Sequence, residues 1–358
     1  MLDLSQFKPQ NIIIRMPNWV GDMVMATPLL TDLRKAFPEA RLTAMCRAPI
    51  SDLLQDDPEI NELFSFTKAS RLVRRDEKKN ILDHLRLGNY DLGVILPNTF
   101  SSAWWFWQGG VEVRIGYKGA GRKALLTHPL EKPDNAQSQH LVKTYKHLLS
   151  PLGIAISNTS PRLYLKEKEI ELARVLLSQH GVKSHHKIIG INPGAAYGSA
   201  KCWLPERFRE VTMRLLEDKD VIIVYFGDLV TSNLVKEVCQ GLSTRVVNMA
   251  GLTSLRELAC LISICNVLLT NDSGPMHIAG ALGTQVVALF GSTSSVVTGP
   301  WQEGKVIQKH VECSPCYRRT CPIDFRCMKQ IGVEEVVQSI LEVLHKSHSS
   351  SNKLNILS

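Results

Sequence analysis

The sequence predicts an α/β fold made of two doubly wound, Rossmann-like domains. Short apolar runs alternate with helix-length segments along the whole chain, as is typical of parallel strands buried on both faces. The alternation starts twice, at Asn11–Met16 and again at Lys187–Gly194. The length of 358 residues, with 44% hydrophobic residues, is enough to bury two compact cores.

In the first half, the strand Asn11–Met16 leads into a helix over Met23–Phe37, whose apolar residues recur at helical spacing. Strand-like runs follow at Arg41–Cys46 and Asp91–Pro97. We therefore expect an N-terminal domain over residues 1–180.

The second half repeats the alternation, and we expect a C-terminal domain over residues 181–332. The boundary falls between Leu165 and Lys187, where the sequence holds one charged helix and a polar run. A terminal helix over 333–346 and a disordered Ser-rich tail over 347–358 complete the prediction. The elements predicted after Lys187–Gly194 are a helix at Pro205–Leu216, a strand at Asp220–Gly227, a helix near Ser232–Leu242, a strand at Arg245–Gly251, a helix at Ser254–Ile264, a strand at Val267–Thr270, a helix at Met276–Leu282 and a strand at Gln285–Phe290.

Composition and missing motifs exclude several classes of protein. The chain has no apolar run long enough to span a bilayer and no secretory signal at its start, which predicts a soluble cytoplasmic protein. The net charge of +8 fits an acidic ligand or a membrane surface, and without a polybasic tail it does not require nucleic acid. Neither half carries a dinucleotide fingerprint or a P-loop, which disfavours a dehydrogenase and a P-loop NTPase.

A polar cluster at Asn271–His277 separates a predicted strand from the next helix. Unpaired amides at the start of that helix, together with the positive end of its dipole, would make an anion site. Gly274 would let the backbone approach a phosphate closely, and His277, one turn further, could donate to a phosphate oxygen. The carboxylate of Asp272 is better suited to a hydroxyl or amine of the ligand.

A simple helix cap is the alternative for this cluster. Asp272 or Ser273 could cap the helix, with Pro275 in its first turn. Capping explains one of these residues but not the whole set, so we favour a ligand site at a strand-to-helix turn.

Four of the nine cysteines lie within a short segment, spaced C-x2-C-x4-C-x5-C. Four thiolates so close in sequence could hold a structural zinc ion or an iron–sulfur cluster. The usual two-knuckle zinc spacing is absent, and free thiols or disulfides remain alternatives. The residues concerned are Cys313, Cys316, Cys321 and Cys327.

Two further segments raise the question of a membrane surface. Ala103–Gln108 places three Trp and one Phe close together, as in a helix at a membrane interface, although a buried core helix is the alternative. Arg71–Lys79 is rich in basic residues and is either a solvated face or a contact for anionic headgroups.

Four segments in the same order resemble the lipopolysaccharide heptosyltransferases of glycosyltransferase family 9, and the similarity runs from about Asn11 to Val337. The resemblance implies a GT-B fold, in which the two domains face each other across a cleft and the terminal helix crosses back to the first domain. It also implies inverting transfer of L-glycero-D-manno-heptose from ADP-heptose to the lipopolysaccharide inner core, with no cofactor required for catalysis. The segments are Arg15–Leu30, Arg114–His128, Asn192–Phe208 and Thr270–Thr293.

The resemblance assigns the catalytic base to Asp22, which follows Gly21 at the turn after the first strand. A base is needed because the acceptor hydroxyl must lose a proton while it attacks the anomeric carbon. From the residues alone, a helix cap is an equally good interpretation of Asp22.

Donor binding is the role that the resemblance implies for six residues of the second half. Lys201, after a Gly-containing turn, could offset charge on the departing diphosphate, although a solvated surface lysine is the alternative. Thr253 matches a nucleotide-contacting position whose residue type varies. The full set is Lys201, Thr253, Asp272, Ser273, Gly274 and His277.

The resemblance implies a lipid-linked Kdo/heptose acceptor, the heptosyl-Kdo-lipid A inner core. It also implies a peripheral enzyme that reaches this acceptor at the cytoplasmic face of the inner membrane. A Gly-rich basic loop could meet its phosphates or carboxylates, with a solvated loop as the alternative. This loop holds Arg114, Lys118, Arg122 and Lys123.

Two alternatives to a heptosyltransferase II remain. One is a heptosyltransferase I or a later-acting heptosyltransferase. The other is a non-catalytic protein that binds a sugar nucleotide. The Arg114–His128 and cysteine-rich segments favour the heptosyltransferase II branch.

Overall fold

The computed structural model describes residues 4, 6–67, 74–301 and 304–349. The chain divides into two compact units, Met1–Tyr164 and Leu165–Ser358. Each contains a six-stranded parallel sheet with helices connecting its strands, which confirms the predicted fold class of two doubly wound domains.

The first unit has the strand order β3-β2-β1-β4-β5-β6. Its central strand β1 is buried along most of its length, and α1 is buried continuously from Met23 to Leu33. Burial of β1 on both faces explains its continuous apolar run in the sequence. The elements are β1 (Asn11–Arg15), α1 (Val20–Ala36), β2 (Arg41–Arg47), β3 (Glu62–Phe66), α2 (Arg74–Leu87), β4 (Leu92–Ile95), α3 (Phe100–Gln108), β5 (Val113–Tyr117), β6 (His128–Leu130) and α4 (Leu141–Lys146).

The second unit has the equivalent order β9-β8-β7-β10-β11-β12. The five strands predicted from continuous apolar runs are present. The sixth described strand, β12 at the edge of the sheet, is not predicted from the sequence. The elements are α5 (Glu167–Ser178), β7 (Lys187–Asn192), α6 (Pro205–Leu215), β8 (Val221–Tyr225), α7 (Ser232–Cys239), β9 (Val246–Asn248), α8 (Leu255–Ser263), β10 (Val267–Asn271), α9 (Gly274–Ala281), β11 (Gln285–Phe290), α10 (Ser295–Thr298), β12 (Lys305–Gln308), α11 (Arg326–Lys329) and α12 (Val333–Ser349).

The strand order of each unit changes direction once, between β1 and β4 and between β7 and β10. Chain connections leave the sheet in opposite directions at such a point, which opens a crevice at the carboxyl ends of the two strands. In the second unit, the residues at that edge are Asn192 at the end of β7 and Asn271 at the end of β10.

The division between the units lies earlier than the predicted boundary at residue 180, because α5 packs against α8 of the second unit. Helix α12 packs against α6 and against β10, β11 and β12. Its predicted return to the first domain stays a prediction. The helix includes residues 347–349, and the rest of the predicted tail lies outside the described residues.

Residues 71–73 of the predicted basic segment also lie outside the described residues, whereas the remainder belongs to α2. Within the described ranges, no helix has both the length and the apolar character needed to cross a membrane.

Candidate functional site

The turn after β10 is held to the loop after β7 by buried asparagine side chains. Asn271 donates from Nδ2 to the Pro193 carbonyl at 2.7 Å and accepts from the Trp203 amide at 3.0 Å. Asn192 donates to the Gly194 carbonyl at 3.0 Å and to Ser273 Oγ at 3.2 Å. The Asn271 side chain bonds to backbone groups of the loop after β7, and the Asn192 side chain reaches the turn after β10, so the two segments are held in a fixed arrangement.

Ser273 occupies the N-cap position of α9, yet its side chain makes no capping hydrogen bond. Its hydroxyl lies 3.0 Å from Thr270 Oγ1 instead. Pro275 lies in the first turn, as the sequence predicts. Pro275 has no N–H, and the Met276 amide donates to the Ser273 carbonyl at 3.2 Å. The uncapped helix start therefore leaves the Gly274 amide as the first-turn donor for an anion.

Asp272 and Lys201 form a buried ion pair beside this helix start, with Lys201 Nζ at 2.6 Å from Asp272 Oδ2. The same carboxylate oxygen accepts from Thr293 Oγ1 at 2.6 Å and from Thr298 Oγ1 at 3.4 Å. Asp272 is therefore engaged by a lysine and two hydroxyls. The structure brings Lys201 and Asp272 together although 71 residues separate them.

Lys201 ends a short helical turn, Ser199–Lys201, two residues before the buried Trp203. Its ammonium lies 5.0 Å from the centre of the Tyr197 ring, a cation–π distance. This turn presents a lysine to the same sheet edge as the start of α9, where a bound anion could accept from both.

The remaining predicted donor residues belong to the same unit. Gly274 is the first residue of α9, and His277 lies buried one turn along. Thr253 is half-buried in the loop after β9, directly before Ser254, which caps α8 by accepting from the Glu257 amide at 3.2 Å. Ligand contacts of these three residues stay predictions.

Asp22 is the third residue of α1, whereas the N-cap position belongs to Trp19. At this position the carboxylate lies in the positive field of the helix start. Burial, and then the negative charge of Asp22, raise the pKa of the Tyr145 hydroxyl well above its usual value. Tyr145 therefore stays a neutral phenol near Asp22.

The four basic residues of the predicted acceptor loop have different environments. Arg114 lies on β5, where Nε donates to the Leu125 carbonyl at 2.7 Å. Arg122 is fully buried; it donates to the Tyr117 carbonyl at 2.8 Å, and burial lowers its pKa to about 10. Lys118 pairs with Glu131, and Lys123 is exposed. They do not form one solvated basic patch, and their role in acceptor binding stays a prediction.

The four clustered cysteines line one small cavity, together with Ala200 of the Lys201 turn and Ser292 after β11. All four are free thiols. Within the described part of the chain, no group of three or more Cys, His, Asp or Glu side chains is arranged to hold a metal ion. The structural metal predicted at Cys313, Cys316, Cys321 and Cys327 stays a prediction.

Helix α3 combines both interpretations of the Trp-rich segment. Ala103 and Phe106 are buried in the core, whereas Phe100 and Trp107 are about half exposed. Lys78 of α2 places its ammonium 4.3 Å from the Trp104 ring. One face of α3 is therefore core, and the other presents aromatic side chains to the surface.

Three residues near the Lys201–Asp272 pair are not predicted from the sequence. Thr293 follows β11, the strand beside β10, so its place at a strand end was the signal that could have found it. Tyr197 and Arg319 share a contact, with the Arg319 guanidinium 5.3 Å from the Tyr197 ring. No local pattern indicates that pair, because it forms between distant segments.

Comparison with known proteins identifies the family of this chain. A family described as Glycosyltransferase family 9 (heptosyltransferase) matches residues 80–325, more than half of the chain. The chain is 31% identical to lipopolysaccharide heptosyltransferase 2 of Escherichia coli K12 over 300 residues, covering 81% of this chain and 85% of that protein. It is 25% identical to lipooligosaccharide heptosyltransferase 2 of Campylobacter jejuni, covering 94% of this chain and 99% of the relative.

Among solved structures, E. coli ADP-heptose LPS heptosyltransferase II matches with a TM-score of 0.80 and 28% identity, covering 94% of this chain and 99% of that one. The two Rossmann-like units thus have the GT-B architecture of a glycosyltransferase. The chain belongs to glycosyltransferase family 9, the heptosyltransferase family.

Proposed function

We propose that this glycosyltransferase moves L-glycero-D-manno-heptose from ADP-heptose to the heptosyl-Kdo-lipid A inner core of lipopolysaccharide. The observation that carries the proposal is the Lys201–Asp272 ion pair beside the start of α9. The Ser273 side chain makes no capping hydrogen bond at that helix start. A lysine and helix-start amides are the groups that bind a diphosphate. The names of the relatives at 25% and 31% identity, both heptosyltransferase 2, favour this acceptor over that of a heptosyltransferase I.

In the proposed reaction, Asp22 removes the proton from the acceptor hydroxyl, whose oxygen forms a bond to the anomeric carbon of the heptose. The bond from that carbon to the diphosphate oxygen breaks, and its electron pair leaves with ADP. Attack from the face opposite ADP inverts the anomeric configuration. Lys201 and the Gly274 amide at the start of α9 stabilise the charge that accumulates on the diphosphate, so the proposal requires no metal or other cofactor for catalysis.

The acceptor test offers purified protein ADP-heptose with either Kdo2-lipid A or its monoheptosylated form, and detects the added heptose by mass. We expect extension of the monoheptosylated form. Extension of Kdo2-lipid A alone would show a heptosyltransferase I activity, and consumption of neither would support the non-catalytic alternative.

The base is tested with Asp22→Asn, which keeps the size of the side chain and removes its basicity. The transfer rate should fall by about 10²–10⁴, the usual contribution of a general base. ADP binding, measured by calorimetry, should be unchanged because Lys201 and α9 belong to the other unit. Transfer at the wild-type rate would remove Asp22 from the mechanism.

We also propose that the enzyme acts as a peripheral protein at the cytoplasmic face of the inner membrane. The exposed Phe100 and Trp107 of α3, with Lys78 nearby, support this because Trp and Lys favour the interface of anionic bilayers. Co-sedimentation with anionic vesicles should be weakened by Trp107→Ser, and unchanged sedimentation would exclude this face. Phe106→Leu, a buried change on the same helix, is the control.

A further inference from the structure

The ring of Tyr197 contacts two cations that come from distant parts of the sequence. Lys201 Nζ is 5.0 Å from its centre, and the guanidinium carbon of Arg319 is 5.3 Å from the same centre. The sum of these distances is the upper limit for the separation of the two charges. Arg319 is therefore a neighbour of the Lys201–Asp272 pair.

The charges of the two cations are balanced differently. Lys201 pairs with the buried carboxylate of Asp272 at 2.6 Å, so the pair has no net charge. Arg319 is exposed, and among the described residues no ion pair is formed by its guanidinium. A diphosphate carries more than one negative charge at neutral pH, and the balanced lysine alone does not neutralise it.

The backbone that carries Arg319 is fixed against the Lys201 turn. The Arg319 carbonyl accepts from the Ala200 amide at 3.0 Å. The same carbonyl lies so close to Gly198 that a Cβ there would stand 2.3 Å from its oxygen. Only glycine allows this approach, so the sequence of the turn is suited to the docked segment.

Two further bonds hold the same segment. Tyr197 Oη donates to the Tyr317 carbonyl at 2.8 Å, and the Tyr317 amide donates to the Ser292 carbonyl at 2.7 Å. Ser292 directly precedes Thr293, which donates to Asp272. The segment that bears Arg319 is thus anchored both to the Lys201 turn and to the strand end that positions Asp272.

We propose that Arg319 is a second cationic residue for the donor diphosphate, presented by the cysteine-containing segment beside Lys201. The inference rests on the proposed function and names a residue of that same site. A guanidinium suits this role because its planar fork can donate two hydrogen bonds to phosphate oxygens at once. The anchored backbone fixes the origin of the side chain, while its exposed end remains able to reach a ligand.

The test compares Arg319→Ala with Arg318→Ala, an equally exposed arginine on the same segment and a matched control for net charge. ADP binding is measured by calorimetry on the full chain. Arg319→Ala should weaken ADP binding at least about tenfold, the equivalent of one charged hydrogen bond. Arg318→Ala should stay within about twofold of wild type.

Adenosine, which lacks the diphosphate, separates a phosphate contact from a general disturbance of the site. The proposal predicts equal adenosine binding by wild type and Arg319→Ala, and partial recovery of ADP binding in Arg319→Lys. If the wild type binds ADP and Arg319→Ala binds it equally well, the inference is wrong while the proposed function stands. A wild type that does not bind ADP would contradict the proposed function itself.

Discussion

Each unit of the molecule contains a buried lysine–aspartate pair, and the two pairs have different surroundings. In the first unit, Lys146 Nζ lies 3.4 Å from Asp32 Oδ2, with the side chains 1% and 3% exposed. In the second unit, the side chains of Lys201 and Asp272 are 13% and 4% exposed, and the distance is 2.6 Å. The residue types are the same, so their surroundings determine what each pair does.

The donors of Lys146 and the carboxylate of Asp32 have hydrogen-bond partners within the protein. Lys146 donates to the carbonyls of Ser157 and Thr159 at 3.0 and 2.9 Å. The hydroxyls of Ser157 and Thr159 donate to Asp32 at 2.8 and 2.7 Å. This pair ties the segment before the unit boundary to α1, and a ligand would find no donor left to use.

The Lys201 pair lies at a strand end instead, and among the described residues Asp272 Oδ2 is the oxygen to which Lys201 Nζ donates. An ammonium has three donors, so a ligand oxygen could be added without breaking the pair. Lys201 therefore differs from Lys146 by its incomplete set of hydrogen bonds rather than by residue type, and its proposed role in binding a ligand depends on that difference.

The largest change in stability should come from breaking the Lys146–Asp32 pair. Lys146→Met leaves Asp32 as an unpaired buried charge, which costs about 3–5 kcal/mol. Urea unfolding should show this loss, whereas the folded protein should bind ADP like wild type. A loss below about 1 kcal/mol, the scale of a surface pair, would contradict the structural role.

The matched change in the second unit is Lys201→Met. The transfer rate should fall by about 10²–10³, the usual cost of losing one group that stabilises a developing oxyanion. The loss of unfolding free energy should be smaller than for Lys146→Met, because the Lys201 side chain is less buried and, among the described residues, donates to Asp272 alone, whereas Lys146 also donates to two carbonyls. If both variants lost stability equally and Lys201→Met retained transfer, the comparison would fail.

A third buried carboxylate, Asp57, extends the comparison to pH. Burial raises its pKa to about 6 from a usual value of 3.8. Between these two pH values, the folded state therefore binds more protons than the unfolded state. The contribution of Asp57 to the free energy of unfolding decreases by about 2 kcal/mol as the pH rises through this window. Asp57→Asn should remove this decrease from the plot of unfolding free energy against pH, measured by urea unfolding from pH 4 to 7. An unchanged pH dependence would exclude Asp57 as its cause.

The smallest effect concerns the hydroxyls on Asp272. Thr293→Val removes the bond at 2.6 Å and should raise the KM for ADP-heptose about tenfold, since one hydrogen bond to a charged group contributes about 1.5 kcal/mol. Thr298→Val removes the longer bond at 3.4 Å and serves as the control, with a smaller change. Equal effects of the two variants in steady-state kinetics would show that Thr293 does not position Asp272.

The sequence predicts the central strands because a strand buried on both faces is apolar throughout, as in β7, β8, β10 and β11. It does not predict β3, which is only partly buried and so has no continuous apolar run. The edge strand β6 has three residues, one of them Pro129, and is too short to produce a pattern. Both are edge strands of the first sheet, where partial burial or short length leaves no apolar run to detect.

Part of the candidate site can be predicted from local sequence, and part depends on tertiary contacts. The turn at Asp272 is predictable because its polar residues interrupt two apolar runs. Arg122 was placed in a solvated loop or an acceptor site, but in the fold it turns inward and donates to the Tyr117 carbonyl. The contact between Tyr197 and Arg319 forms only when distant segments meet, and no local spacing can reveal it.

A crystal structure of the enzyme with ADP tests the central claim most directly. The account predicts diphosphate oxygens within about 3 Å of Lys201 Nζ and of the Gly274 amide at the start of α9. A diphosphate bound at another strand end, with Lys201 held by Asp272 alone, would contradict it.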